Sequence, residues 1–316
     1  MKNAISKFIL FLPLIIFCQA VEPIYIALNG DITDPDQELS GLTWYKDNLI
    51  LLPQFPKNKI YSIPKQQIID FLDSSGKKII PSEIKWNSSG IDKNISGFEG
   101  YEAIIFNNDT VYITIEVEKR GSNHGLIARG IIDNSQHEII LNKNSIKKIS
   151  TPVTLNNMTY ESILFRNNSI ITIYEVNSNG VNKSPVFHQF DRNLKSDITK
   201  PFPFTEYRIT DATAIDAEGK FWVTNYFWPG DYDLLKPELD YTITKKKDIK
   251  PVERLLEFQI IDGKIVRTKA LPVNIKLSKL GGSRNWEGIV RLDDQGFLIV
   301  TDKFPGTILA FIPLFE

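Results

Sequence analysis

Glu287-Gly-Ile-Val-Arg-Leu-Asp-Asp-Gln-Gly-Phe-Leu-Ile-Val-Thr-Asp302 reads as two short apolar strands joined by a polar turn, with a carboxylate at each end. Runs rich in Ile, Val and Phe, bounded by Asp and Gly, favour paired strands over helix. Four further segments share the layout: Ser40-Gly-Leu-Thr-Trp to Gln54, Glu102-Ala-Ile-Ile-Phe to Glu116, Glu161-Ser-Ile-Leu-Phe to Glu175, and Asp211-Ala-Thr-Ala-Ile to Asn225. Each opens on a polar residue, follows it with a small one, and closes its second strand on another polar residue. The offset between the two polar residues is 14 in four segments and 15 in the last. Recurrence in order along one chain is the mark of a repeat architecture.

The repeat starts lie 62, 59, 50 and 76 residues apart. Between them run further strand-like stretches, such as 59–63 with 79–86 and 255–261 with 264–271. Four strands per repeat in a radial array is a β-propeller blade. The two chain ends together supply the rest of one more repeat. Strand 24–28 is therefore expected beside 307–313, closing the circle and removing the open edges of a linear array. The reading is all-β, a single five-bladed propeller over residues 21–316. Six blades are the alternative if the 76-residue interval hides another repeat. The stretch 228–251 is turn-rich and charged, which favours an insertion there.

In such a fold the first strand of each blade lines the axis, and the antiparallel second strand returns to the same face. Ser40, Glu102, Glu161, Asp211 and Glu287 then form a ring at one mouth of a central channel. Gln54, Glu116, Glu175, Asn225 and Asp302 form a second ring beside it. Four converging carboxylates raise one another's pKa, and burial adds to this. A hard cation answers the problem, and Ca²⁺, which accepts about 6–8 oxygens in irregular geometry, suits the first ring as its metal ligands. The other answer is bonding to backbone N–H groups of neighbouring blades. Loops on the same face carry Lys119, Arg120, His124, Trp228 and Lys303. They would surround the acidic centre as a ligand-binding funnel for a small anionic molecule with apolar parts.

Composition narrows the partners. There are 37 basic against 38 acidic residues, so no charge excess points to nucleic acid or an anionic membrane. Lys2, Lys7, the apolar run 8–17 and Ala20 read as a signal peptide over residues 1–20. That run is shorter than the about 20 apolar residues a membrane span needs, so no span is expected in the mature chain. The expected location is secreted or periplasmic, and the expected state a monomer. Lipidation of Cys18, the single cysteine, is the alternative. Without it the mature chain has no thiol, hence no disulfide and no cysteine nucleophile. No nucleophile elbow, zinc-binding helix or phosphate loop occurs, and there are three histidines, His124, His137 and His188.

Glu38-Leu-Ser-Gly-Leu-Thr-Trp44, Gly97-Phe-Glu-Gly-Tyr-Glu-Ala103 and Asn285-Trp-Glu-Gly-Ile-Val290 resemble the blade starts of the bacterial phytase-like, or esterase-like, propeller proteins. Glu38-Leu-Ser40 with the Glu102, Glu161, Asp211 and Glu287 series is also similar to the calcium-activated nucleotidases, or apyrases. These resemblances imply an exported calcium-binding propeller and a hydrolase of phosphoesters or other esters. The competing expectation is a non-catalytic propeller that binds a glycan, peptide or envelope partner around a structural ion.

Overall fold

The computed structural model describes residues 20–74, 76–119, 121–238, 249–279 and 282–314. Residues 1–19 of the proposed signal peptide, with Cys18, and the binding candidate Arg120 lie outside them. Along the chain run β1 (Ile24–Ile26), β2 (Leu39–Tyr45), β3 (Asn48–Pro53), β4 (Lys59–Pro64) and β5 (Ser82–Asn87). The second repeat holds β6 (Phe98–Asn107), β7 (Thr110–Lys119), β8 (Ser122–Asp133) and β9 (Glu138–Ser150). Then come β10 (Ser162–Arg166), β11 (Ser169–Ile173), β12 (Val186–Asp191) and β13 (Asp197–Pro201). The fourth repeat holds β14 (Arg208–Ala212), β15 (Lys220–Phe227), β16 (Val252–Ile261), β17 (Lys264–Arg267) and β18 (Val273–Asn274). The chain ends with β19 (Trp286–Leu292), β20 (Gly296–Thr301) and β21 (Leu309–Pro313). One helix of length, α1 (Lys65–Ser74), packs a single buried residue, Ile68, beneath the first repeat. The repeat pattern gave no sign of it.

Hairpins join the first two strands of each repeat, and the turn residues explain them. Asn167 and Asn168 both take positive φ, 46° and 65°, the pair of left-handed residues that a tight two-residue hairpin requires. Lys46 and Asn108 sit at the same place in their repeats, with φ of 53° and 52°.

The N-terminal strand closes the last sheet as the sequence suggested. Its order is β1-β21-β20-β19, with Ile24 opposite Phe311 and Ile26 opposite Leu309. The third and fourth repeats form sheets β10-β11-β12-β13 and β14-β15-β16-β17. The first two repeats depart from separate blades. They share one eight-stranded sheet because β5 and β9 pair in parallel at their outer edges, Lys85 to Asn87 against Glu138 to Ile140. Pairing these outer strands gives two otherwise open edges a partner.

Inside, β2 packs on β6, β6 on β10, β10 on β14, β14 on β19, and β19 back on β2. The small residue after each ring position permits this approach. A Cβ on Gly41 would sit 3.2 Å from the carbonyl of Glu102 on the neighbouring strand. One on Gly288 would lie 2.7 Å from Leu42. Apolar clusters fill the spaces between adjacent sheets, for instance Leu42, Leu51, Val290 and Leu298 between the first and last repeats. No described helix is long and apolar enough to cross a membrane.

Candidate functional site

Six carboxyls of the two rings lie together, since the charges of Glu102, Glu116, Glu161, Glu175, Glu287 and Asp302 act on one another. Three of the ring residues, Ser40, Glu102 and Glu287, fall at irregularities of their strands. The register shifts between Leu39 and Gly41 around Ser40, between Trp286 and Gly288 around Glu287, and between Tyr101 and Ile104 around Glu102. A bulge re-aims the side chain of the extra residue, and here it is the polar one.

Two of the five proposed calcium ligands lock strands together instead. The Ser40 hydroxyl donates to the carbonyl of Tyr101 at 2.5 Å, tying β2 to β6. Asp211 accepts from the N–H of Ala212 at 2.7 Å with one oxygen and from Ile289 at 2.8 Å with the other, tying β14 to β19. Both oxygens of that carboxylate are therefore occupied.

The remaining carboxyls are organised by a residue that sequence reading passed over. Arg208, buried three residues before Asp211, donates from Nε to Glu175 and from Nη2 to Glu161 at 3.3 Å. Its charge also acts on Glu102, Glu116, Glu287 and Asp302. A guanidinium thus holds the central place given to Ca²⁺. With Ser40 and Asp211 bonded to backbone and Glu161 bonded to Arg208, three of the five predicted ligands are already engaged by protein groups, which fits a calcium ion poorly. Among the described residues no group of three or more His, Cys, Asp or Glu side chains is arranged for a metal. The sequence signal for Arg208 is weak, one charge in the mixed stretch Thr205-Glu-Tyr-Arg-Ile-Thr-Asp211.

Burial pushes these carboxyls upward. Glu102 is raised to about 8, first by desolvation, with Gln54 donating to it at 3.3 Å in the opposite sense. Glu116 is raised to about 9, by desolvation and then by Glu102 and Glu175. Glu161 and Glu287 lie well above the ordinary carboxylate range for the same first reason. Between the ordinary value of 4.5 and about 9, the folded chain binds more protons than the unfolded one. Stability is then full below the ordinary carboxylate range and falls as pH rises through 8 to 9. Melting temperature should therefore decline from pH 5 to pH 9.5, and Glu116→Gln should flatten the decline. A melting temperature that rises over this interval would contradict the assignment.

At the open side of the mouth, Asn285 bridges two half-buried carboxyls. Its Nδ2 donates to Glu287 and, at 3.2 Å, to Asp302. Oδ1 of Asn285, Oδ1 of Asp302 and Oε2 of both Glu161 and Glu175 are buried without a protein partner. Behind this mouth a second buried pair stiffens the last repeat. Glu253 accepts from Arg284 Nε at 2.9 Å and from the indole of Trp286 at 2.7 Å.

The proposed funnel is not assembled as expected. Lys303 is paired with Glu38 at 2.5 Å. Lys119 is exposed, and its backbone pairs with Ser122 in the β7–β8 hairpin. His124 is half-buried, its pKa lowered by burial and then by Lys148. Trp228 stands exposed at the end of β15. Of these, Lys303 alone touches a group that neighbours the ring, since the charge on Glu38 acts on Asp302.

No family model and no curated protein matches this chain. Solved structures do. One, described as showing that the GH130 family of mannoside phosphorylases contains glycoside hydrolases targeting β-1,2 mannosidic linkages in Candida mannan, has a TM-score of 0.51 at 8% identity. It covers 99% of this chain and 96% of that one. The fold is similar to that of propeller-type glycoside hydrolases. A putative glycoside hydrolase of Parabacteroides distasonis matches with TM-score 0.50 and 8% identity, over 94% of each chain. A glycosyl hydrolase of Bacteroides ovatus does so with TM-score 0.50 and 7% identity, over 93% of each. At such identities the likeness extends to the fold alone.

Proposed function

We propose that this chain is an exported five-bladed propeller that hydrolyses glycosidic bonds at the Glu287–Asp302 mouth. The closed circuit of inner strands supports the count of five blades, with the first two sharing an outer edge. The observation that carries the chemistry is the single amide nitrogen of Asn285 holding both carboxyls. Their bonded oxygens are then no more than about 6 Å apart, two hydrogen-bond lengths. Retaining glycosidases place their carboxyls about 5–5.5 Å apart and inverting ones about 6.5–9.5 Å, so this spacing suits retention.

The environments divide the roles. Glu287 is pushed well above the carboxylate range by burial and then by the Asp302 charge, so it keeps its proton as general acid. Asp302 is raised less; the backbone N–H of Lys303 and the Asn285 amide favour its anion, which serves as nucleophile. Glu287 protonates the leaving oxygen as Asp302 attacks the anomeric carbon. The deprotonated Glu287 then activates water to release the sugar. The fold likeness to glycoside hydrolases supports this reading over phosphoester cleavage. So does the commitment of the nearby cations, Arg208 to glutamates and Lys303 to Glu38.

The test is a panel of aryl glycosides of both anomeric forms. Glu287→Gln and Asp302→Asn should each lower kcat/KM by about 10²–10⁴-fold. With Asp302→Ala, added azide should restore turnover and give a glycosyl azide. Absence of turnover by the unaltered chain across the panel, or full activity in both variants, would sink the proposal.

A further inference from the structure

The opposite end of the axis carries a second ring at a fixed repeat position. Trp44, Phe106, Phe165, Ile215 and Arg291 each lie four residues after the polar residue that opens their repeat. At the rise of an extended strand, four residues place this ring roughly 13 Å from the acidic mouth. The five side chains line one cavity of about 250 Å³. Inner-strand residues such as Leu42, Ile163 and Val290 form its apolar wall.

Four members of this ring are apolar and one is a cation. Trp44, Phe106, Phe165 and Ile215 are half-buried: each packs against an apolar cluster and also lines the cavity. Arg291 lies over the Phe297 ring, 5.7 Å from its centroid, and makes one long ion pair. Its nearest carboxylate, Asp216, lies 3.8 Å from Nη2, and the other oxygen of Asp216 accepts from the N–H groups of Glu218 and Lys220. Nε of Arg291 is buried without a protein partner. The rim is pre-formed, because the Trp44 indole donates to the carbonyl of Arg291 at 2.7 Å.

We propose that this cavity is a second binding site, for a small carboxylate with an apolar body. The apolar part lies against Trp44, Phe106, Phe165 and Ile215, and the carboxylate meets the Arg291 guanidinium, a fork suited to that group. The volume falls below the about 300–1,000 Å³ of pockets for drug-sized ligands, which limits the occupant to a short acyl chain or a single ring. Nothing in this site depends on the carboxyls at the other mouth.

Octanoate is the probe, and octan-1-ol its neutral counterpart, each titrated calorimetrically into the full chain. Octanoate should saturate one site, and octan-1-ol should bind about tenfold or more weaker, the worth of one charge-assisted hydrogen bond. Arg291→Met should erase that preference, Arg291→Lys should keep part of it, and thermal melts should show both variants folded. If Arg291→Met does not fold, Ile215→Glu tests the same point, because a like charge in the cavity should repel octanoate but not octan-1-ol. Three results would overturn the proposal. They are no saturable octanoate binding, equal affinity for the two probes, and an unchanged preference in the charge-altering variants.

Discussion

A chain that begins at Asn29 should lose cooperative folding. Removing the preceding residues takes away β1 and three buried apolar side chains, Val21, Ile26 and Leu28. At about 1.5–3 kcal/mol for each fully buried side chain, the loss is about 5–9 kcal/mol. That is comparable with the roughly 5–15 kcal/mol that holds a whole domain folded. The pairing of Ile24, Tyr25 and Ile26 with Phe311, Ala310 and Leu309 goes as well. β21 then becomes an exposed, largely apolar edge, open to pairing with other chains. The expected readout is a broad or absent thermal transition and early elution on a sizing column. A synthetic peptide of residues 20–30 should restore part of the transition. A truncated chain that melts at the original temperature would show that the circle does not need this clasp.

Arg208→Met should be the most damaging single substitution at the channel. It removes a buried cation and leaves Glu161 and Glu175 without their shared partner. Breaking a buried pair from one side costs about 3–5 kcal/mol, which in a chain of this length lowers the melting temperature by roughly 5–10 °C. The loss should depend on pH in a defined direction. In acid the two glutamates protonate and no longer need a cation, so the variant approaches the unaltered chain. As pH rises the cost of keeping them buried grows and the gap widens. Adding Glu175→Gln to Arg208→Met should recover part of the loss. Chelator should leave the melting temperature of the unaltered chain unchanged, because the central positive charge belongs to the side chain. A chelator-induced fall in melting temperature would restore the calcium reading of the ring.

These two expectations rest on different kinds of legibility. Closure of the circle could be read from the chain ends, because strand 24–28 and strand 307–313 are each too few for a blade and together complete one. Periodicity of two and a recurring polar opener survive any detail of packing, so they report the architecture directly. The polar opener by itself did not reveal its work. Ser40 and Asp211 have the residue types of metal ligands, yet they fasten neighbouring strands, because each lies within reach of a backbone group on the next strand. Glu287 and Asp302 look like two more members of the rings until Asn285 is seen to hold both. The fused edge of the first two repeats was equally hidden, since parallel pairing of β5 with β9 depends on how their blades splay.

By itself, the sequence determined that strands repeat, which residues open each repeat, and that the first strand must join the last. These follow from local periodicity and from counting. The tertiary structure alone decided which cation sits among the acids. A guanidinium projecting from one strand reaches glutamates 33 and 47 positions earlier in the chain. Side chains that distant are brought together only by closing the ring, and their charges then set one another's protonation.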